Sequence, residues 1–441
     1  MRSRAERGRR IGPRIRRNRK DPSMSQPKQL KKLARDRMAR TGESYTLARK
    51  HILAGKPEGT SRPAAEALGA EPAPAAEPEE VELPEYPAPE AVVQYDAALW
   101  HRVLTQAGVT HPLNGQPLSE ALLAGLAGGI GFMVFTFEYE VTTTATVVTR
   151  AHPEPYVANL LSRCGAPIRE QTTSSTKVAQ ANLDAALDEG RAVVVRVTEA
   201  LLPWASGAEA EESESIDIAV VGEHDDGNYL VDDGGGELQL ISPAELAAAR
   251  GRRKKDRQWQ AWAPRPATPE AEVLGENAAE AVRATAARLL GRSELVGIPA
   301  HFAKNFGVAG MRTWVEKLRD TRTRKGWAAL FADPDRLYDA LAQVRDFLES
   351  PRFGGTSGLR GQYADFLDEA ARLPVASSLP GLAEAAEAYR ALAPKWTELA
   401  EAVDPDVDPE ERAALFARLA DLLEEIADAE EAAARLLLPA E

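Results

Sequence analysis

Residues 55–90 set the strongest limit on what this chain can fold into. Pro, Ala and Glu dominate there, as in Pro87-Ala88-Pro89-Glu90, and almost every charge is acidic. Such a stretch cannot bury enough apolar surface to offset the entropy of ordering it. A disordered linker is expected over 55–92, and a packed core must be built from the residues C-terminal to it. Upstream, residues 1–27 are Arg-rich without apolar periodicity and read as a disordered basic tail. Met24 opens a more ordinary stretch, Met24-Ser25-Gln26-Pro27-Lys28, and is an alternative start to Met1. Residues 28–54 read as a basic helical hairpin. Leu30, Leu33 and Met38 fall near one face, Thr41-Gly42-Glu43 breaks the helix, and Ser44 caps a second one holding Tyr45, Ala48, Ile52 and Leu53. Residues 24–56 are where nucleic acid would bind, since Lys and Arg neutralise phosphates. No base-reading helix is recognisable, and a solvated arm docking on an acidic partner or on the rest of this chain is the preferred reading.

The net charge of −13 averages this basic start with an acidic remainder and describes neither. The single cysteine, Cys164, excludes an intramolecular disulfide, so a reducing cytoplasm is the expected setting. No apolar segment follows the N-terminal arginines, so no signal peptide is expected. Ala121 to Phe137 is uncharged throughout, but it falls short of the ~20 residues a membrane span needs and is broken by Gly125, Gly128, Gly129 and Gly131. A buried helix, turn and strand is the better reading, and a soluble protein is expected.

Residues 93–265 carry a mixed pattern. Helices are predicted over 96–106, 119–126, 155–163, 182–188 and 243–250, and strands over 132–139, 192–197, 217–221 and 229–232. His224-Asp225-Asp226-Gly227 reads as a hairpin turn. From 270 to 441 helices dominate. The last is signposted by Asp408 as N-cap, Pro409 at the first helical position and Glu411 completing a capping box. Its stripe of Leu415, Leu419, Leu422 and Ile426 suits a core or a partner face. That stripe allows a dimer, and the oligomeric state stays open.

Three stretches together resemble one family. They are Leu118-Ser119-Glu120-Ala121-Leu122-Leu123 running into Gly128-Gly129-Ile130-Gly131-Phe132; Asn305-Phe306-Gly307-Val308-Ala309-Gly310-Met311-Arg312 with Trp314; and Gly354-Gly355-Thr356-Ser357-Gly358-Leu359-Arg360 followed by Tyr363-Ala364-Asp365-Phe366-Leu367. Their order and separation are similar to the butirosin-biosynthesis acyltransferase family, over roughly residues 95–395. The resemblance implies an α+β fold, a papain-like domain followed by an all-α domain. It also implies transfer of an acyl group from a carrier-protein thioester to an amine, by a thiolate and a histidine acting as proton carrier. It places the thiol at the start of the helix before the Leu-Ser-Glu motif, where this chain has Gln94-Tyr95-Asp96. It places the histidine at the opening of the strand Ser215-Ile216-Asp217-Ile218, where there is none. Thr110 to Pro117 is an extra piece.

No other residue replaces the pair convincingly. Cys164 falls at a helix C-terminus stopped by Gly165, where the dipole disfavours a thiolate. His101 and His111 read as surface histidines, and His224 with Asp225 as a solvated pair in a turn. Asp217 is the candidate for a stand-in acid at the histidine strand, and a weak one. The glycine run follows a helix and precedes a strand, the reverse of a phosphate loop. Close backbone packing beneath the site therefore explains it, and Ser119, Glu120, Gly128, Gly129 and Gly131 are assigned to that packing or to the pocket. Arg252, Arg253, Lys254 and Lys255 form a basic cluster suited to an acidic carrier protein or a phosphate, with a solvated loop as the plainer reading. The expectation is a degenerate family member in secondary metabolism that binds a small amine, a carrier protein or a regulatory partner without cofactor or metal. An active acyltransferase using direct attack by the amine is the alternative.

Overall fold

A computed structural model describes residues 85–90, 92–138, 143–153, 155–205, 215–295 and 297–438. The expected tail, hairpin and most of the linker lie outside them. The first helix, α1 (Tyr95–Gln106), starts where the Gln94 side chain accepts from the Ala97 amide at 2.7 Å. Helix α2 (Glu120–Ala127) is capped by Ser119, whose Oγ accepts from the Leu122 amide. Gly128 and Gly129 both take positive φ, +134° and +62°, and turn the chain into β1 (Ile130–Glu138). Strand β1 pairs antiparallel with β2 (Thr143–Arg150) as a separate two-stranded ribbon.

The main sheet is six-stranded and antiparallel wherever its strands pair, in the order β3-β8-β4-β5-β6-β7. Its strands are β3 (Arg169–Gln171), β4 (Val193–Thr198), β5 (Ser215–Glu223), β6 (Tyr229–Asp232), β7 (Leu238–Ile241) and β8 (Gln260–Trp262). The valines of β4 are buried on both sides, as a central strand requires. Helices α3 (Tyr156–Arg163), α4 (Thr176–Asp188) and α5 (Pro243–Gly251) complete this part. Ser242 and Glu245 close a reciprocal capping box on α5.

From Ala271 the chain is helical: α6 (Ala271–Leu289), α7 (Gly307–Arg319), the single turn α8 (Trp327–Leu330), α9 (Pro334–Glu349), α10 (Arg360–Ala370), α11 (Leu382–Ala402) and α12 (Arg412–Leu436). The expected mixed region followed by a helical one is what forms. The start of the last helix differs from expectation. The Asp408 carboxylate accepts from the Glu410 amide in a local turn, and α12 begins only at Arg412 without a side-chain cap. Its stripe, Leu415, Leu419 and Ile426, is buried within the chain, where α12 packs on α7 and α11.

The three family-like stretches meet where the helical part grips the β1–β2 ribbon and α2. A Cβ at Gly129 would stand 2.7 Å from the Tyr363 ring, and one at Gly131 2.7 Å from the Arg150 carbonyl. Phe132 lies against Trp314 and Trp396, with ring centroids 6.2 and 5.9 Å away. Arg288 donates to the carbonyls of Gly128 and Ile130. Arg360, with no exposed surface, donates to the carbonyls of Gly131 and Thr149 and pairs at 2.5 Å with the equally buried Glu430. Arginine suits this place because its planar fork satisfies several acceptors at once.

Candidate functional site

A cavity of about 310 Å³ opens at the N-terminus of α1. Its walls come from α1, the end of β2, the start of α3, β4, β5 and the loop before α10. Tyr95, the first residue of α1, is 6% exposed, and its hydroxyl donates to the Asp217 backbone carbonyl at 2.6 Å. The sequence-predicted thiol position, Tyr95, and the histidine strand, Ile216 and Asp217, are thus brought together at this cavity. Burial raises the Tyr95 phenol well above its ordinary pKa, and the nearby carboxylates of Asp96, Asp217 and Asp233 add to the effect.

Three guanidinium groups line the cavity, each paired with a carboxylate. Register explains one of them: β4 and β5 place Arg196 directly opposite Asp217, and the two side chains meet in a two-pronged pair at 2.6 and 2.8 Å. Burial raises the Asp217 carboxyl, while the Arg196 hydrogen bonds oppose that rise. Arg196 also lies 4.7 Å from the centre of the Trp259 ring. The second pair joins Arg150, at the end of β2, to Asp96 at 3.0 Å, with Arg150 stacked 5.0 Å over Tyr156. In the third, Arg352 of the helical part meets Glu199, just after β4, at 2.6 Å. The loop holding Arg352 and Phe353 is fixed by backbone donors of the mixed part: Tyr95 donates to Pro351, and Thr149 and Arg150 donate to Phe353.

The remaining expected residues lie elsewhere. Cys164 caps the C-terminus of α3 and is wholly buried, and burial pushes its thiol up to about 11. Ser119, Glu120, Gly128, Gly129 and Gly131 do not line this cavity. Ser119 donates to Glu369 of α10 at 2.5 Å, burial raises the Glu120 carboxyl, and the glycines sit at the junction of the two parts. His101 and His111 are not surface residues. His101 is half-buried with its Nδ1 on the Leu118 carbonyl, and His111 is 7% exposed, which lowers its pKa. His224 meets Asp226, not Asp225, at 3.0 Å, with both half exposed. Arg252, Lys254 and Lys255 are exposed on the turn after α5, and Arg253 pairs with Asp256. Among the described residues no group of acids, histidines or cysteine is arranged to hold a metal, and no helix is long and apolar enough to cross a membrane.

Sequence reasoning did not select Arg150, Arg196 or Arg352. A lone arginine inside the valine run of β4 was the one available signal, since a charge there must find a partner. The other two are placed by long-range packing.

Fold and site define a mixed α+β domain with a cleft at a helix N-terminus, completed by a helical domain. Residues 98–234 match the family model described as butirosin biosynthesis protein H, N-terminal, and residues 244–437 match a domain of unknown function (DUF4872). The chain belongs to the family that carries these two domains in this order. Comparison with curated proteins gave no match.

Proposed function

We propose that this protein is a family member that binds its ligand in the cleft without forming an acyl-enzyme. It thereby serves as a binding or regulatory protein in secondary metabolism. One observation carries the reading: Tyr95 fills the helix N-terminus where the resemblance puts a thiol, and its hydroxyl is committed as a donor to Asp217. A phenol that is buried and raised in pKa is a poor nucleophile at neutral pH. The only cysteine is buried on another element, away from the cavity lining. Within this reading a carrier protein would dock at the exposed basic turn of Arg252, Lys254 and Lys255, beside the Arg196–Trp259 wall.

Mass spectrometry of the protein incubated with acyl thioesters, alone and with amine acceptors, tests the proposal. The expected result is no adduct and no thioester turnover above the uncatalysed rate. A covalent adduct that disappears in Cys164→Ala overturns it. Turnover without an adduct also overturns it and supports direct attack by the amine.

A further inference from the structure

The three pairs around the cavity differ in how firmly each guanidinium is held. Asp217 has 5% of its side chain exposed and Asp96 16%, whereas Glu199, the partner of Arg352, has 39% exposed. Arg196 spends two nitrogens on one buried carboxylate, and Arg150 is held by Asp96 and stacked on Tyr156. Separating either pair would strand its largely buried carboxylate out of water, which is costly. The Arg352–Glu199 pair differs in its exposed carboxylate and not in stacking, since Arg352 also lies 5.6 Å from the centre of the Phe353 ring. A solvent-exposed carboxylate loses little when it leaves, because such pairs contribute only about 0–1 kcal/mol. Arg352 lines the cavity and Glu199 does not. Release of Glu199 therefore leaves a guanidinium aimed at the cavity, with its partner returned to solvent.

We infer that Arg352, supplied by the domain of unknown function, is the residue that reads an anionic group on the ligand, a carboxylate or a phosphate that exchanges for Glu199. The inference rests on the binding role proposed for the cleft. It assigns the second domain a direct part in recognition, since its loop 351–353 is pinned to the first domain by three backbone hydrogen bonds. A planar guanidinium suits either oxyanion, as both accept two parallel N–H donors.

The test uses the full chain, with inorganic phosphate and acetate as separate probes against sodium chloride at matched ionic strength. Thermal unfolding is the readout, because a ligand that binds only the folded state raises Tm by mass action. Phosphate or acetate is expected to raise the wild-type Tm with a saturating dose dependence, on top of the linear rise that excluded anions give any folded protein, and the probe with the larger saturating part identifies the anion class. Arg352→Gln should abolish the effect. Glu199→Gln should strengthen it by up to about five-fold in apparent affinity, the factor that about 1 kcal/mol of lost competition provides. These opposite directions separate recognition from structure, since both substitutions break the same ion pair. If both variants weaken the effect alike, if Arg352→Gln responds as wild type, or if neither probe acts on wild type and Glu199→Gln, the inference is overturned. An effect removed by Lys254→Gln and Lys255→Gln instead places the anion on the exposed turn and also overturns it. None of these outcomes bears on acyl-adduct formation, so failure here is distinct from failure of the binding role.

Discussion

A side chain at the first position of a helix feels the positive end of the helix dipole, which should favour its ionised form. At Tyr95 burial outweighs that effect and the phenol stays protonated. Cys164 has both influences against it, since it is buried and sits at the negative end of α3. With its folded pKa raised to about 11, above the ordinary thiol value, the folded state holds the proton more tightly than the unfolded one. The stability due to this group is full below the ordinary thiol pKa and is lost as pH rises toward 11. Native protein at pH 8.5 should therefore leave Cys164 unmodified by iodoacetamide, whereas urea-unfolded protein alkylates fully. Alkylation of the native form at the rate of a free thiol would show that the side chain is accessible. The helix-end position of Cys164 was legible from Gly165. Its complete burial was not, because Cys164 belongs to a core assembled from many elements.

At the scale of elements, local chemistry was legible and long-range pairing was not. Ser119 announces α2, and the Val- and Ile-rich runs announce β4 and β5. Strand β2 escapes because Thr143-Thr144-Ala145-Thr146 has little apolar contrast, yet Thr143 and Thr149 are buried, and α9 packs on the strand. The Asp408-Pro409-Glu411 signal misplaced the start of α12 because Asp408 satisfies a nearer amide. Most consequential is Arg360, whose sequence context suggests an ordinary helical arginine. Its guanidinium ties two strand carbonyls to Glu430 of α12, stacks 4.6 Å over Trp396, and has no contact with water. Arg360→Met leaves the Glu430 carboxylate buried and unpaired. It should lower unfolding free energy by about 3–5 kcal/mol, read from the denaturant midpoint at constant m. A loss below about 1 kcal/mol would mean that the carboxylate finds water or a proton at little cost.

For the whole molecule, the two family domains share a core. Phe366 of α10 covers Gly125 of α2, Trp314 of α7 packs on Phe132 of β1, and the cleft takes walls from both. Chemical unfolding should accordingly give one transition, with far-ultraviolet circular dichroism and tryptophan fluorescence superimposing. Two separated transitions would show that the halves fold independently and that the shared core is weak. The order of the two domains could be read from the sequence, since the pattern changes from mixed to helical near residue 270. That both would build one cleft could not, because it depends on a loop near 352 reaching residues more than a hundred positions away.

The glycine and arginine junction has a consequence for how such chains are sorted. The stretches that make this sequence recognisable are the ones that fasten one half to the other, and they stand apart from the cavity wall. Their packing holds the two halves together whatever takes place in the cavity. A search keyed to those stretches therefore reports on the joint and not on the cavity wall, where Tyr95 and Asp217 stand.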